Sequence, residues 1–246
     1  MLYRSPLRDG GARAKPGRFC LRHARKAYLC PMQIQRFTFN PLQENTYVLW
    51  CEISRECVIV DAGMYERREQ EEMREFLSSH NLNPIGLWGT HAHIDHIFGN
   101  QWLLDSFKVP YHLHPLDIPM IERSKAMAAV WNLNYHESPL PDFELQHGQV
   151  LTLGHDEVEV RFVPGHAPGH VVFCNHSNKW AVVGDTVFSG SIGRTDLPGG
   201  NHEQLISSIE RELFSLADDY QLHPGHGPST TVGHEKERNP FFEHLR

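Results

Sequence analysis

Thr90-His91-Ala92-His93-Ile94-Asp95-His96 packs three imidazoles and a carboxylate into seven positions. In a chain of 246 residues with 18 histidines, an H-x-H-x-D-H string arises by chance in roughly one sequence in 200. The apolar run Ile85–Trp88 just before it predicts a strand that delivers the cluster. His91 and His93 are two apart, so in an extended segment leaving a strand they point to the same side. Asp95 and His96 follow as the chain turns toward Gly99, and can face a second point nearby. Imidazole nitrogen and carboxylate oxygen suit zinc, iron or manganese. The absence of thiolates argues against a purely structural zinc site.

Three further fragments extend this pattern. His166 lies in Pro164-Gly165-His166-Ala167-Pro168-Gly169-His170, Asp185 follows Ala181-Val182-Val183-Gly184, and His226 lies in Pro224-Gly225-His226-Gly227-Pro228. Glycine and proline around each fix a tight turn and let backbone approach closely. A lone histidine in such a loop is usually a surface residue. Four fragments, each at the end of an expected strand, carry more weight together.

The rest of the chain reads as a frame for these loops. Gln33–Phe39, Thr46–Cys51, Cys57–Val60, Val171–Cys174 and Trp180–Val183 are expected strands, and Val158, Val160 and Phe162 alternate with charged residues as a half-buried strand should. Met73, Phe76 and Leu77 mark a helix, and further helices are expected over Asn100–Phe107 and Leu116–Trp131. Another is expected from near Asn201, with Gln204 as a capping-box partner and Leu205, Ile209, Leu213 and Phe214 as its buried stripe. Strands in runs, interrupted by helices, imply an α/β chain of sheet layers flanked by helices.

Composition narrows the function classes. The longest apolar runs, such as Ala126–Trp131, are a third of the roughly 18 residues a membrane span needs. Five cysteines with no C-x-x-C pair argue against a disulfide scaffold and for a reducing, cytoplasmic setting. Residues 1–31 carry eight basic side chains against the single acid Asp9, whereas the other 215 residues carry 15 basic and 29 acidic ones, a net of −14. Such an acidic body disfavours nucleic acid as a partner. The basic segment 1–31 has no secretory apolar core and reads as a disordered leader or an extension ahead of Met32, with the folded domain at 32–246. Ser189 and Ser191 lack a G-x-S-x-G elbow, which disfavours serine catalysis.

H-x-H-x-D-H, then Gly-His-x-Pro-Gly-His, then Gly-Asp-Thr, then Pro-Gly-His-Gly-Pro, in this order, resembles the metallo-β-lactamase superfamily. Gly184–Phe188 running into Ser191–Gly200 is similar to its short glyoxalase II-like (hydroxyacylglutathione hydrolase-like) branch. The resemblance spans Met32–Arg246 and implies an α/β fold, a metallo-β-lactamase-like αβ/βα four-layer sandwich with metals at one edge between two sheets. Carried onto this sequence, it implies a first metal on His91, His93 and His166, a second on Asp95, His96 and His226, and Asp185 bridging both. Asp95 and Asp185 are thereby implied to be catalytic as well. Two divalent ions, zinc foremost with iron or manganese as options, would share a hydroxide that attacks a carbonyl carbon and expels a thiolate. A thiolate leaves without a strong general acid.

By the same resemblance Asp61 is expected to accept a hydrogen bond from a ligating imidazole, His170 either to do similar service or to face solvent, and Arg194 to bind a substrate carboxylate or to pair with Asp196. The remaining histidines, including His112, His114, His155 and His223, read as surface residues. The implied activity is hydrolysis of a small-molecule thioester of the S-2-hydroxyacylglutathione kind. Only 20 residues follow His226, too few for the helical domain with which full-length glyoxalase II holds glutathione, which leaves the carrier open between glutathione and another thiol. Two alternatives share the fold: a persulfide dioxygenase with one iron on His91, His166 and Asp185, and a lactone or β-lactam hydrolase.

Overall fold

The structure, a computed structural model, describes residues 32–245. The basic segment 1–31, with the expectation attached to it, lies outside the described residues.

Two six-stranded mixed sheets form the frame. The first is built, in spatial order, from β1 (Met32–Phe39), β2 (Glu44–Cys51), β3 (Glu56–Val60), β4 (Asn83–Trp88), β5 (Tyr111–Leu113) and β6 (Phe143–Glu144). Its first three strands are antiparallel neighbours and its last three join in parallel. The parallel joins need crossovers, which α1 (Arg67–Ser79), α2 (Asn100–Phe107) and α3 (Ile118–Val130) supply. The second sheet contains β7 (Val150–Leu153), β8 (Asp156–Phe162), β9 (Val171–Asn175), β10 (Trp180–Gly184), β13 (Gln221–Pro224) and β14 (Thr230–Thr231), in the order β14-β13-β10-β9-β8-β7. A small hairpin, β11 (Val187–Phe188) with β12 (Ser191–Ile192), leads from β10 toward α4 (His202–Glu212), and α5 (Val232–Arg238) closes the chain.

Side-chain alternation divides each central strand between two cores. Tyr47, Leu49, Val58 and Val60 of the first sheet meet Val158, Val171, Phe173 and Val182 of the second in one buried cluster between the sheets. The intervening residues Val48, Cys57 and Ile59 turn outward onto Met73, Leu77 and Leu103 of the first helical layer. Val172, Cys174, Ala181 and Val183 likewise pack on Leu205 and Ile209 of α4 and on Leu213 at its C-terminal cap, with Val232 of α5. Three stacked cores make the expected αβ/βα sandwich. They also explain why these strands read as unbroken apolar runs: both faces are buried.

Local boundaries follow local chemistry. The Asn201 side chain accepts from the Gln204 amide 3.0 Å away and starts α4. The expected helix over Leu116–Trp131 divides, because Pro115–Asp117 forms a short 3-10 turn before α3. His112, His114 and His223 are half-buried rather than surface residues: His112 stacks on Phe143 and His114 on Phe162, since imidazole offers an apolar face that sequence pattern alone does not report. No helix among the described residues is long and apolar enough to cross a membrane.

Phe173 is fully buried in the inter-sheet core with its ring centroid 5.3 Å from that of Trp88. Phe173→Ala is expected to lower unfolding free energy by about 3–5 kcal/mol, measured by urea denaturation.

Candidate metal centre

Strand polarity brings the chemistry to one edge. The C-terminal ends of β3, β4, β8, β10 and β13 all deliver residues there, and the start of β2 joins them because it runs antiparallel to β3. The two sheets are tied at this edge by Val171 N–H to the Thr90 carbonyl at 2.9 Å, and by Asn45 N–H to the Gly225 carbonyl at 2.7 Å. The Tyr47 hydroxyl adds a 2.7 Å bond to the Pro224 carbonyl.

Five imidazoles converge there. Ring centroids lie 4.1 Å apart for His91 and His96, 4.5 Å for His93 and His166, and 5.5 Å for His96 and His226. His91, His93 and His166 form one group able to hold a metal ion, and Asp95, His96 and His226 form a second. Asp185 lies between them: one carboxylate oxygen is 3.4 Å from His96 Nε2, and the other is 3.6 Å from both His166 Nε2 and His226 Nε2. All seven residues singled out from the sequence are therefore neighbours.

Backbone and side-chain partners fix which ring nitrogen faces inward. His166 Nδ1–H donates to the Arg194 carbonyl at 2.7 Å, and His226 Nδ1–H to the Gln43 carbonyl at 3.2 Å. A carbonyl only accepts, so in both rings Nε2 presents its lone pair to the cluster. Asp61 sets two more rings. Its carboxylate accepts from His96 Nδ1 at 2.9 Å, from Thr90 N–H at 2.7 Å and from the Thr90 hydroxyl at 2.6 Å. With its proton committed to Asp61, the Thr90 hydroxyl accepts from His91 Nδ1–H at 3.0 Å. Asp61 holds this position with a left-handed φ of 54°, an uncommon conformation for a non-glycine residue that strained functional sites retain.

His170 is fully buried rather than facing solvent. Its Nε2 accepts from the Asp185 amide at 3.0 Å, so it positions the backbone that carries the central carboxylate. The intervening Gly184, with φ +48°, has no room for a side chain: a Cβ would stand 2.5 Å from Thr90 Oγ1 and 2.7 Å from His170 Nε2. A Cβ on Gly225 would collide with Asp185 Oδ1.

Charge and unmet valence both fit a cation. His91 Nε2, His96 Nε2 and Asp185 Oδ1 are buried without hydrogen-bond partners, an arrangement that is costly unless something else satisfies them. The carboxylates of Glu44, Asp61, Asp95 and Asp185 surround His96 at 2.9–3.9 Å. Burial disfavours charge on His96, yet Asp185 and Asp95 outweigh it and hold that imidazole well above its ordinary value. Burial likewise opposes charge on Asp185, but His96, His166 and His226 keep it well below the usual carboxylate range. His93, buried and beside His166, is pushed down to about 3. The buried Asp95 and Asp185 carboxylates thus draw their countercharge from the surrounding imidazoles, a place that divalent ions fill with more charge.

Arg194 takes the second of its two expected roles, pairing with Asp196. Its guanidinium is bound two-fold to Asp196 at 2.7 and 2.8 Å on the exposed rim, while its carbonyl orients His166. The sequence reading missed Thr90, and it missed Asp117, whose carboxylate accepts from both Ala92 N–H and Gly169 N–H and so ties the two histidine loops together. It also missed Glu44, fully buried with its Oε1 3.8 Å from His96 Nδ1. Asp117 and Glu44 lie outside the histidine motifs and Thr90 only borders one, and an isolated acid or hydroxyl gives no pattern to read.

A four-layer sandwich with His/Asp donor groups at one edge is the architecture of a metallo-hydrolase. The chain belongs to the metallo-beta-lactamase superfamily, whose sequence profile matches residues 39–226. It is 35% identical over 213 residues to the hydroxyacylglutathione hydrolase GloC of Haemophilus influenzae, a match covering 86% of this chain and 98% of that protein. Among solved structures, the BLEG-1 B3 metallo-beta-lactamase has a TM-score of 0.79 at 31% identity, covering 86% of this chain and 100% of the other. TTHA1623 in a di-iron-bound form has a TM-score of 0.75 at 38% identity, covering 84% and 99%.

Asn tolerates the left-handed backbone of Asp61, so Asp61→Asn tests the carboxylate alone. It is expected to weaken divalent-metal affinity about 10- to 100-fold, read by competition with a chromogenic chelator, with an unchanged far-UV circular dichroism spectrum. Carboxylates raise the proton affinity of His96 and His226 against the opposing effect of burial, so an entering cation displaces protons. Affinity should therefore fall as pH drops, about tenfold per pH unit for each proton displaced, with proton release measurable by calorimetry in buffers of different ionisation enthalpy.

Proposed function

We propose that this chain is a metal-dependent thioester hydrolase acting on a small-molecule substrate of the S-2-hydroxyacylglutathione kind. The observation that carries the reading is the convergence of His91, His93, His166, Asp95, His96, His226 and Asp185, with buried, partnerless donor atoms on His91, His93, His96 and Asp185, at and just beneath the floor of an open pocket of about 880 Å³. His91, His93 and His166 would hold one divalent ion and Asp95, His96 and His226 a second, with Asp185 between them. Bound there, such a pair supplies a nucleophilic hydroxide at neutral pH and stabilises negative charge developing on a carbonyl oxygen.

The chain's own residues prepare the site. Asp61, Thr90 and the carbonyls of Arg194 and Gln43 lock four imidazoles in the tautomer that presents Nε2, which removes the cost of reorienting them. His170 holds the Asp185 backbone. Asp95 and Asp185 keep charged carboxylate oxygens at the pocket floor, where they would hold the ions and orient an attacking nucleophile by accepting its hydrogen bond. No lysine or tyrosine lies among the described residues lining the pocket. That supports a leaving group such as a thiolate, which departs without a donated proton. Likeness to the hydroxyacylglutathione hydrolase supports the same choice. Cys57 and Cys174 are free, buried thiols, in keeping with a reducing, cytoplasmic setting.

Metal quantification of the purified protein, run beside assays on thioesters, lactones and persulfides, tests the reading. Two metal ions per chain and thioester hydrolysis without oxygen uptake are expected. One iron with oxygen consumption would instead establish a dioxygenase. Asp185→Asn should lower both metal occupancy and turnover, the latter by at least about 100-fold, whereas His155→Asn, on an exposed turn away from the cluster, should change neither.

A further inference from the structure

The pocket above the donor cluster is larger and more apolar than hydrolysis of a short polar acyl group requires. One wall is a single stripe of α3 and its C-terminal cap: Met120, Arg123, Ser124, Met127, Val130 and Trp131. Four residues of the apolar run Ala126–Trp131 line the pocket, Ala126 together with Met127, Val130 and Trp131 of this stripe, and the run has no part in donor geometry. The wall begins at the cluster itself, because Ile94, between His93 and Asp95, lines the same pocket and packs into one small core with Phe98, Ala128 and Met127. It ends in the open. Val130 is 81% and Trp131 51% exposed, facing the pocket with their apolar surface in water. Leu42, 45% exposed, and Phe188 line it as well, the latter 6.2 Å from the His226 ring.

Two cations also line the pocket, and both are committed to one rim segment. Arg194 is paired with Asp196, and Arg123 Nη1 donates to the Pro198 carbonyl at 3.2 Å. The α3 wall beyond Arg123 and Ser124 offers Ala126, Met127, Val130 and Trp131. A purely hydrophilic ligand would leave that surface wet, whereas an alkyl chain would be desolvated along it at both partners' gain.

We propose that the acyl group of the substrate carries an extended apolar chain, seated from Ile94 along Met127, Val130 and Trp131, with its thioester carbonyl over the donor cluster. The inference rests on the thioester reading for the reacting group, and it adds the chemical class of the acyl part. Continuity of the wall with Ile94 selects this occupant over a second copy of the chain, since a ligand seated along these side chains ends at the cluster. A pocket of about 880 Å³ is at the upper end of the range for small-molecule sites and accommodates a chain much longer than a lactoyl group.

The test uses the metal-loaded protein with N-acetylcysteamine thioesters of acetate, butyrate, hexanoate and octanoate. Their non-hydrolysable S-alkyl thioether counterparts serve as binding probes. Full burial of a methylene corresponds to roughly fourfold, the equivalent of about 0.8 kcal/mol; on a wall open at one end, kcat/KM is expected to rise at least about tenfold from acetyl to octanoyl. Thioether affinity, measured by calorimetry, should rise in parallel with an increasingly negative heat-capacity change. Trp131→Ser and Val130→Ser, both at exposed positions, should lower the octanoyl-to-acetyl ratio and weaken octyl thioether binding several-fold. Hydrolysis and thioether binding that are both indifferent to chain length would overturn the apolar channel while leaving the thioester reading in place. Chain-length-dependent thioether binding with no thioester hydrolysed would do the reverse. A change in sedimentation coefficient on Trp131→Ser, with binding insensitive to chain length, would assign this face to a second copy and reject the proposal.

Discussion

A single buried carboxylate organises the cluster. Asp61 accepts three hydrogen bonds, from His96 and from both the amide and the hydroxyl of Thr90. Through Thr90 it also fixes His91. A buried carboxylate is stable only when its lone pairs are met, and here meeting them orders the two rings at the centre of the site. The left-handed backbone at Asp61 is the cost of pointing that carboxylate back under the loop that follows β4.

The sandwich makes this arrangement affordable. Each sheet presents one edge, and the donors after β4 and β10 sit just beyond strands whose side chains enter cores on both faces. Loops in such a place inherit the rigidity of the strands that feed them. Asp117 extends the principle, since one carboxylate clasps the amides of Ala92 and Gly169 and so joins a loop of the first sheet to a loop of the second. Among the described residues, the acids of the cluster pair with imidazoles rather than with lysine or arginine. The result is a pocket floor that attracts divalent cations and walls whose character is set separately, by α3 and the β11–β12 hairpin.

Much of this was legible in the sequence. Strands β2, β3, β9 and β10 are apolar runs of strand length between turn residues, and α4 carries both its cap and its stripe. The donor residues stand out because histidine and aspartate at short, fixed spacings beside glycine are rare. The two-residue strands and the hairpin after Asp185 were not legible, because pairing partners rather than propensity create them. The burial of His112, His114, His170 and His223 was equally hidden. Imidazole is at home in water or in a core, and only its neighbours decide.

Residue type and spacing determined the donor atoms, since nitrogen and oxygen ligands belong to the side chains themselves, and unbroken apolar runs of strand length determined that the central strands would be covered on both faces. Only the tertiary structure decided which nitrogen of each ring faces inward, that Arg194 serves His166 through its carbonyl while its guanidinium pairs with Asp196, and that α3 lays an apolar wall beside the cluster. The reason is distance along the chain. The acceptor for His226 lies 183 residues away at Gln43, and contacts of that separation are made by how the layers close, which no local pattern encodes.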